Sequence, residues 1–111
     1  MIDIKFKVLP AGEGKTRWLV EKAFDECSKG NSVFLLTNDN DEFQKFMIRY
    51  RTSFSMYCPV KMLETTSPVP NNAIVLIDNF TEKVSSGLID MSTIQTSAKE
   101  VFATLTGKLI V

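Results

Sequence analysis

Hydrophobic and polar residues alternate along the start of the chain, where Ile2, Ile4, Phe6 and Val8 are separated by Asp3, Lys5 and Lys7. That period of two predicts a strand covered on one face. From Thr16 the spacing lengthens: Leu19, Val20, Ala23, Phe24 and Cys27 fall on one side of a helix, with Glu21, Lys22, Asp25 and Glu26 elsewhere. Gly30 is placed to stop that helix. Residues 32–37 form a nearly continuous apolar run, the pattern of a parallel strand buried on both faces. Side-chain oxygens from Asn38 to Asp41 then offer helix caps. Phe43, Phe46, Met47 and Tyr50 recur at helical spacing, which predicts a second amphipathic helix with those four residues in the core.

The second half alternates in the same way. Residues 54–60 are expected to form a minor strand, and Pro68 and Pro70 exclude regular structure over residues 65–72. Residues 73–77 are the most strand-like segment of the chain and run straight into Asp78. A helix is predicted over residues 81–98 from Val84, Leu88, Ile89, Met91 and Ile94, a pattern weakened by Gly87 and many Ser and Thr residues. Residues 101–106 read as a last strand, followed by Gly107 and an apolar end. Strands alternating with helices predict an α/β fold with a mainly parallel sheet of four or five strands and right-handed crossovers.

Composition narrows the chemistry. A chain of 111 residues has room for one domain spanning 1–111, and 44% hydrophobic with 23% charged residues describes a folded protein. Lys+Arg and Asp+Glu both total 13, so net charge announces neither a nucleic-acid nor a membrane partner. Histidine is absent, which removes Ser-His-Asp and Cys-His nucleophile systems and most catalytic zinc sites. Cys27 and Cys58 lie in apolar settings without C-x-x-C spacing and are expected to be reduced core residues. Residues 1–5 carry no positive leader, and no run approaches the roughly 18 apolar residues of a membrane span, so a cytoplasmic address is expected.

The segment joining the first strand to the first helix, Leu9-Pro10-Ala11-Gly12-Glu13-Gly14-Lys15-Thr16, holds the candidate chemistry. A tight glycine-rich turn there directs backbone N–H groups and a helix N-terminus at one point, where the macrodipole favours an anion. Gly12 and Gly14 allow close approach that a Cβ would hinder. Lys15 can reach the oxygens of a polyphosphate, and the Thr16 hydroxyl can ligate Mg²⁺. Five such residues can occur in any loop. The order strand, loop, helix argues against chance here, as does a second apolar strand, Ile74-Val75-Leu76-Ile77-Asp78, that ends in an acid about 60 residues later.

These residues resemble the P-loop NTPases: Pro10 to Thr16 look like a Walker A loop, and Ile74 to Asp78 like a Walker B strand. Within that superfamily residues 9–17 are similar to the first motif in the first RecA-like lobe of superfamily 2 helicases, flavivirus ones included. Phe34-Leu35-Leu36-Thr37-Asn38 stands where their motif Ia lies, and Phe102-Ala103-Thr104-Leu105-Thr106-Gly107 distantly resembles their Thr-Ala-Thr motif. Thymidine kinases of the Walker type are a second, comparably loose likeness. The resemblance implies a minimal three-layer domain that binds ATP or a similar nucleoside triphosphate with Mg²⁺. Ala11, Gly12, Glu13, Gly14, Lys15 and Thr16 would hold the phosphates, and Thr16 and Asp78 the metal, Asp78 through water. Two positions depart from the family pattern. Leu9 replaces the first Gly, and Asn79 follows Asp78 where these families have the Glu that activates water. Asn can position water but cannot accept its proton, so Lys15 and Asn79, as catalytic positions, imply binding with weak or partner-dependent hydrolysis.

Further expectations follow from the likeness. A helicase needs two such lobes and an arginine acting on the γ-phosphate, whereas one lobe is present here. Arg17, Arg49 and Arg51 are either trans-acting fingers or solvated surface. The implied order of the four main strands, first-last-third-second, puts the first strand at an edge, blunted by Lys5 and Lys7, and a homo-oligomer or protein partner is expected there. Trp18, opposite the apolar stripe, either contacts a base or partner or packs on a neighbouring loop. Thr104 and Thr106 either sense a γ-phosphate or simply suit a strand. The expected function is ATP binding with weak NTPase activity in nucleic-acid transactions, the last on resemblance alone. The alternative is a catalytically silent interaction module, such as a small viral accessory protein. A kinase-like phosphotransferase is disfavoured, because no substrate lid is evident.

Overall fold

Short runs of Val, Ile and Leu make the centre of the sheet, because such residues pack well on a pleated surface covered on both sides. In the computed structural model, residues 4–9, 14–54, 60–64, 67–85 and 98–106 are described. They form strands β1 (Ile4–Leu9), β2 (Val33–Leu36), β3 (Lys61–Leu63), β4 (Ile74–Ile77) and β5 (Glu100–Thr106) and helices α1 (Lys15–Ser28), α2 (Asn40–Phe54) and α3 (Phe80–Ser85). The strands make one five-stranded sheet in the order β1-β5-β4-β2-β3, and every pairing is parallel. The four main strands thus follow the expected order with β1 at an edge, and β3 adds a fifth at the other edge.

Parallel pairing brings the strand ends into register. Lys7 is level with Thr104 across β1 and β5, and Ile77 with Ala103 across β4 and β5. Asp78 therefore leaves the sheet beside Thr104. Alternate residues supply two cores. Ile74, Leu76, Val33, Leu35 and Phe102 face α1 and α2, where they meet Leu19, Val20, Ala23, Phe46 and Tyr50. Val75, Ile77, Val101 and Ala103 face the opposite side with Leu36 and Leu63, and Phe80 of α3 packs against that cluster. All four residues of β4 are fully buried. The described helices therefore lie on both faces of the sheet.

Local signals explain the helix ends. Gly30 adopts φ +84°, and the amides of Gly30 and Asn31 turn back onto the carbonyls of Cys27 and Glu26 at 3.0 and 3.1 Å. α2 begins where the Asp39 carboxylate accepts the Asp41 N–H at 2.9 Å, with Asp41 and Glu42 in the first turn.

Some expectations change. Phe54 ends α2 rather than starting a strand, because its ring stacks on Phe24 with centroids 4.2 Å apart and extends the helical contact. An edge strand is described at Lys61–Leu63, and residues 55–59 fall outside the described residues. Of the helix expected over 81–98, Phe80–Ser85 is helical and 86–97 lie outside the described residues. Glu26, assigned to the polar side of α1, is buried, its carboxylate accepting the Asn31 side-chain amide at 2.7 Å. Phe46 and Tyr50 are buried as expected, and Phe43 and Met47 pack partly buried against them. Cys27 is partly buried and packs against the core, and Cys58 lies outside the described residues. No helix among the described residues is long and apolar enough to cross a membrane.

Candidate functional site

The site lies where α1 begins and β4 and β5 end. Gly14 precedes α1 with φ +89°, and its carbonyl accepts the Trp18 N–H at 3.0 Å to close the first turn. A Cβ there would meet no atom within 4 Å, so what calls for glycine is the left-handed backbone, not space. The first turn of α1 has no side-chain cap and no acidic residue, in contrast to α2. The positive dipole end of such a helix favours an anion.

Lys15 and Thr16, the first residues of α1, reach across to the end of β4. The Lys15 ammonium donates to Asn79 Oδ1 at 3.1 Å, and the Thr16 hydroxyl donates to Asp78 Oδ2 at 3.3 Å. The fully buried Thr104 hydroxyl donates to Asp78 Oδ1 at 2.5 Å. The Asn79 N–H is shared between Thr104 Oγ1 at 3.0 Å and Asp78 Oδ1 at 3.1 Å. Asn79 has φ +54°, a conformation Asn tolerates better than most residues. A peptide clamped on both sides holds it so, because Lys83 Nζ donates to the Asp78 carbonyl. Lys83, with its side chain only 11% exposed, also donates to Glu42 Oε1 at 2.9 Å, and Glu42 Oε2 accepts the Thr37 hydroxyl at 2.9 Å.

Thr16, Asp78 and Asn79 line a cleft of about 280 Å³, whose other wall is the start of α2 with Asp39, Asp41, Glu42 and Lys45. On the other side of Thr16 an open groove of about 580 Å³ runs along α2 past Lys45, Ile48, Arg49 and Thr52. Among the described residues no three His, Cys, Asp or Glu side chains cluster as a metal cage. The Asp78 carboxylate and the Thr16 hydroxyl, both lining the cleft, are hard oxygen donors, and such a sparse set fits Mg²⁺, which keeps several waters and shares phosphate oxygens.

Of the residues singled out from sequence, Gly14, Lys15, Thr16, Asp78 and Asn79 are brought together, although 62 residues separate Thr16 from Asp78. Ala11, Gly12 and Glu13 lie outside the described residues. Arg17, Arg49 and Arg51 are exposed; Arg17 pairs with Glu21 at 3.4 Å, and Arg51 donates to the Met47 carbonyl. Trp18 packs edge-to-face on Phe102 with centroids 6.0 Å apart, so a strand rather than a loop receives it. Thr104 is a working member of the network. Sequence reasoning missed Lys83, Glu42 and Thr37. Only the spacing of Lys83, one helical turn beyond Asn79, hinted at its role. Searches of the chain against family models, curated proteins and solved structures return no match.

Proposed function

We propose that the chain binds a Mg²⁺–nucleoside triphosphate, ATP or a similar nucleotide, as a minimal P-loop domain, and hydrolyses it weakly or only with a partner. The observation that carries this reading is the pair of bridges from the uncapped start of α1 to the end of β4, Lys15 to Asn79 and Thr16 to Asp78. They set a cation, a hydroxyl and a carboxylate around one point, beside a helix start with no side-chain cap and no acid in its first turn. An anionic phosphate supplies the charge that such an arrangement favours.

In this reading the α1 amides and Lys15 bind the β- and γ-phosphates, with Lys15 leaving Asn79 for the phosphate oxygens. Thr16 and Asp78 would hold Mg²⁺, which when bound neutralises the charge of the phosphates. Thr104 holds Asp78 in its rotamer. Asn79 aligns a water through its amide and leaves its proton in place, so hydrolysis is slow. The nucleic-acid association rests on the likeness to helicase motifs and is proposed on that ground alone.

Titration with ATP and Mg²⁺, followed by calorimetry, tests the site. Wild type should bind in the micromolar to millimolar range, and Lys15→Ala should weaken binding by about tenfold or more, as loss of a charge-assisted contact does. No wild-type affinity at millimolar nucleotide would overturn the reading. The silent interaction module would then take its place, a reading favoured by Asn79 and by the free edge of β1. Phosphate release measured with and without single-stranded DNA tests the nucleic-acid association.

A further inference from the structure

β1 ends the sheet, and among the described residues its outer edge pairs with no strand. A row of backbone N–H and C=O groups there can accept one more strand. The two faces of that edge differ. Lys5 and Lys7 project to the α1 side, where Lys5 Nζ sits 5.5 Å from the Phe102 ring centre and pairs with the Glu100 carboxylate at 3.3 Å. Behind it Lys22 lies 5.7 Å from Phe102 and 5.8 Å from Trp18, and these side chains line a hollow of about 190 Å³ together with Lys29 and the carboxylates of Asp25, Glu26 and Glu100. Phe6 and Val8 project to the α3 side. Phe6 packs edge-to-face on Phe80 yet remains 44% exposed, and Val8 is 55% exposed.

The edge strand itself therefore shows two exposed lysines, Lys5 and Lys7, over an aromatic floor on one face and an apolar row on the other. Two occupants differ in charge. A second copy of β1, antiparallel and centred on Phe6 or Lys7 with its apolar row on the same side, sets lysine opposite lysine. Like charges directly opposed across strands are unfavourable. The lysines that repel a copy attract a strand with carboxylates at alternate positions, which is how one charge pattern both rejects and selects. We propose that the free edge of β1 docks an extended segment of a partner protein in which acidic and apolar residues alternate, its backbone continuing the sheet, its acids meeting Lys5, Lys7 and Lys22 and its apolar side chains covering Phe6 and Val8. This inference is independent of nucleotide binding.

The test uses the whole chain and a short synthetic peptide alternating Glu and Val, with a Lys/Val peptide as control. Fluorescence anisotropy should show binding of the Glu/Val peptide alone, weakening as salt rises. The Lys5→Glu/Lys7→Glu variant should bind it about tenfold or more weakly and should bind the Lys/Val peptide instead. Both lysines are exposed, so the variant should keep wild-type circular dichroism. Hydrogen exchange should slow at the amides of residues 5–8 on binding. Peptide binding without that protection would reveal charge attraction alone and overturn the proposal. So would absence of binding, or a concentration-dependent dimer of the free chain that protects the same amides.

Discussion

Asn79 shows how one residue can be fixed by conformation and chemistry together. Its φ of +54° suits Asn, and its side chain carries no acid. Asn79→Glu is expected to raise steady-state phosphate release above a basal rate of less than about one per minute. Left-handed strain on Glu should meanwhile cost about 1 kcal/mol of stability, read by urea denaturation. No increase in release would show that a carboxylate is not the part in short supply. Thr104→Val keeps the shape of a fully buried side chain while removing its hydroxyl from Asp78 Oδ1 and from the Asn79 N–H. A loss of about 1–3 kcal/mol is expected in the same measurement, with weaker Mg²⁺-dependent nucleotide binding; an unchanged stability would mean that water replaces the hydroxyl. Lys15, Thr16 and Asp78 were legible because each has a recognisable neighbour in sequence. Thr104 was ambiguous, since a threonine in a strand needs no further reason than its β-branch.

At the scale of elements, the two helix starts divide their tasks. α2 is capped by its own Asp39 and has acids in its first turn, whereas α1 has neither. α2 is then tied to the end of β4 by the ion pair of Glu42 and Lys83, with Lys83 also holding the Asp78 carbonyl. Because Lys83 is largely buried and Glu42 partly so, removing one partner strands the other. Lys83→Met is expected to lose about 2 kcal/mol, and a double-mutant cycle with Glu42→Leu should give a coupling of about 1 kcal/mol or more. Additive losses would show that the pair is only a surface contact. The helix α1 and the start of α2 were legible to within about two residues, since 3.6-residue periodicity and capping residues are local. Of the strand expected over 54–60, Phe54 is held in α2 by its stacking on Phe24, 55–59 lie outside the described residues, and a short strand is described at Lys61–Leu63.

For the whole molecule, the sheet is organised around β4, which is buried on both faces and carries Asp78 at its end. Leu76→Ala should cost about 3 kcal/mol through lost burial and a residual cavity. In a domain of this size that lowers Tm by more than about ten degrees, measurable by calorimetry; a shift of a degree or two would mean that the two layers repack freely. Patterns along the chain determined the α/β class and the helices α1 and α2, and the strand–loop–helix motif singled out the glycine, lysine, threonine and aspartate positions of the candidate site, because these depend on neighbours within a turn or a strand. The tertiary structure alone decided that Lys83 and Glu42 brace Asp78, that Glu26 is buried with Asn31, and that Phe6 and Val8 stay exposed on the free edge of β1. Contacts such as Lys83 with Glu42, 41 residues apart, arise only when parallel strands bring distant ends into register, and no local period records which ends will meet.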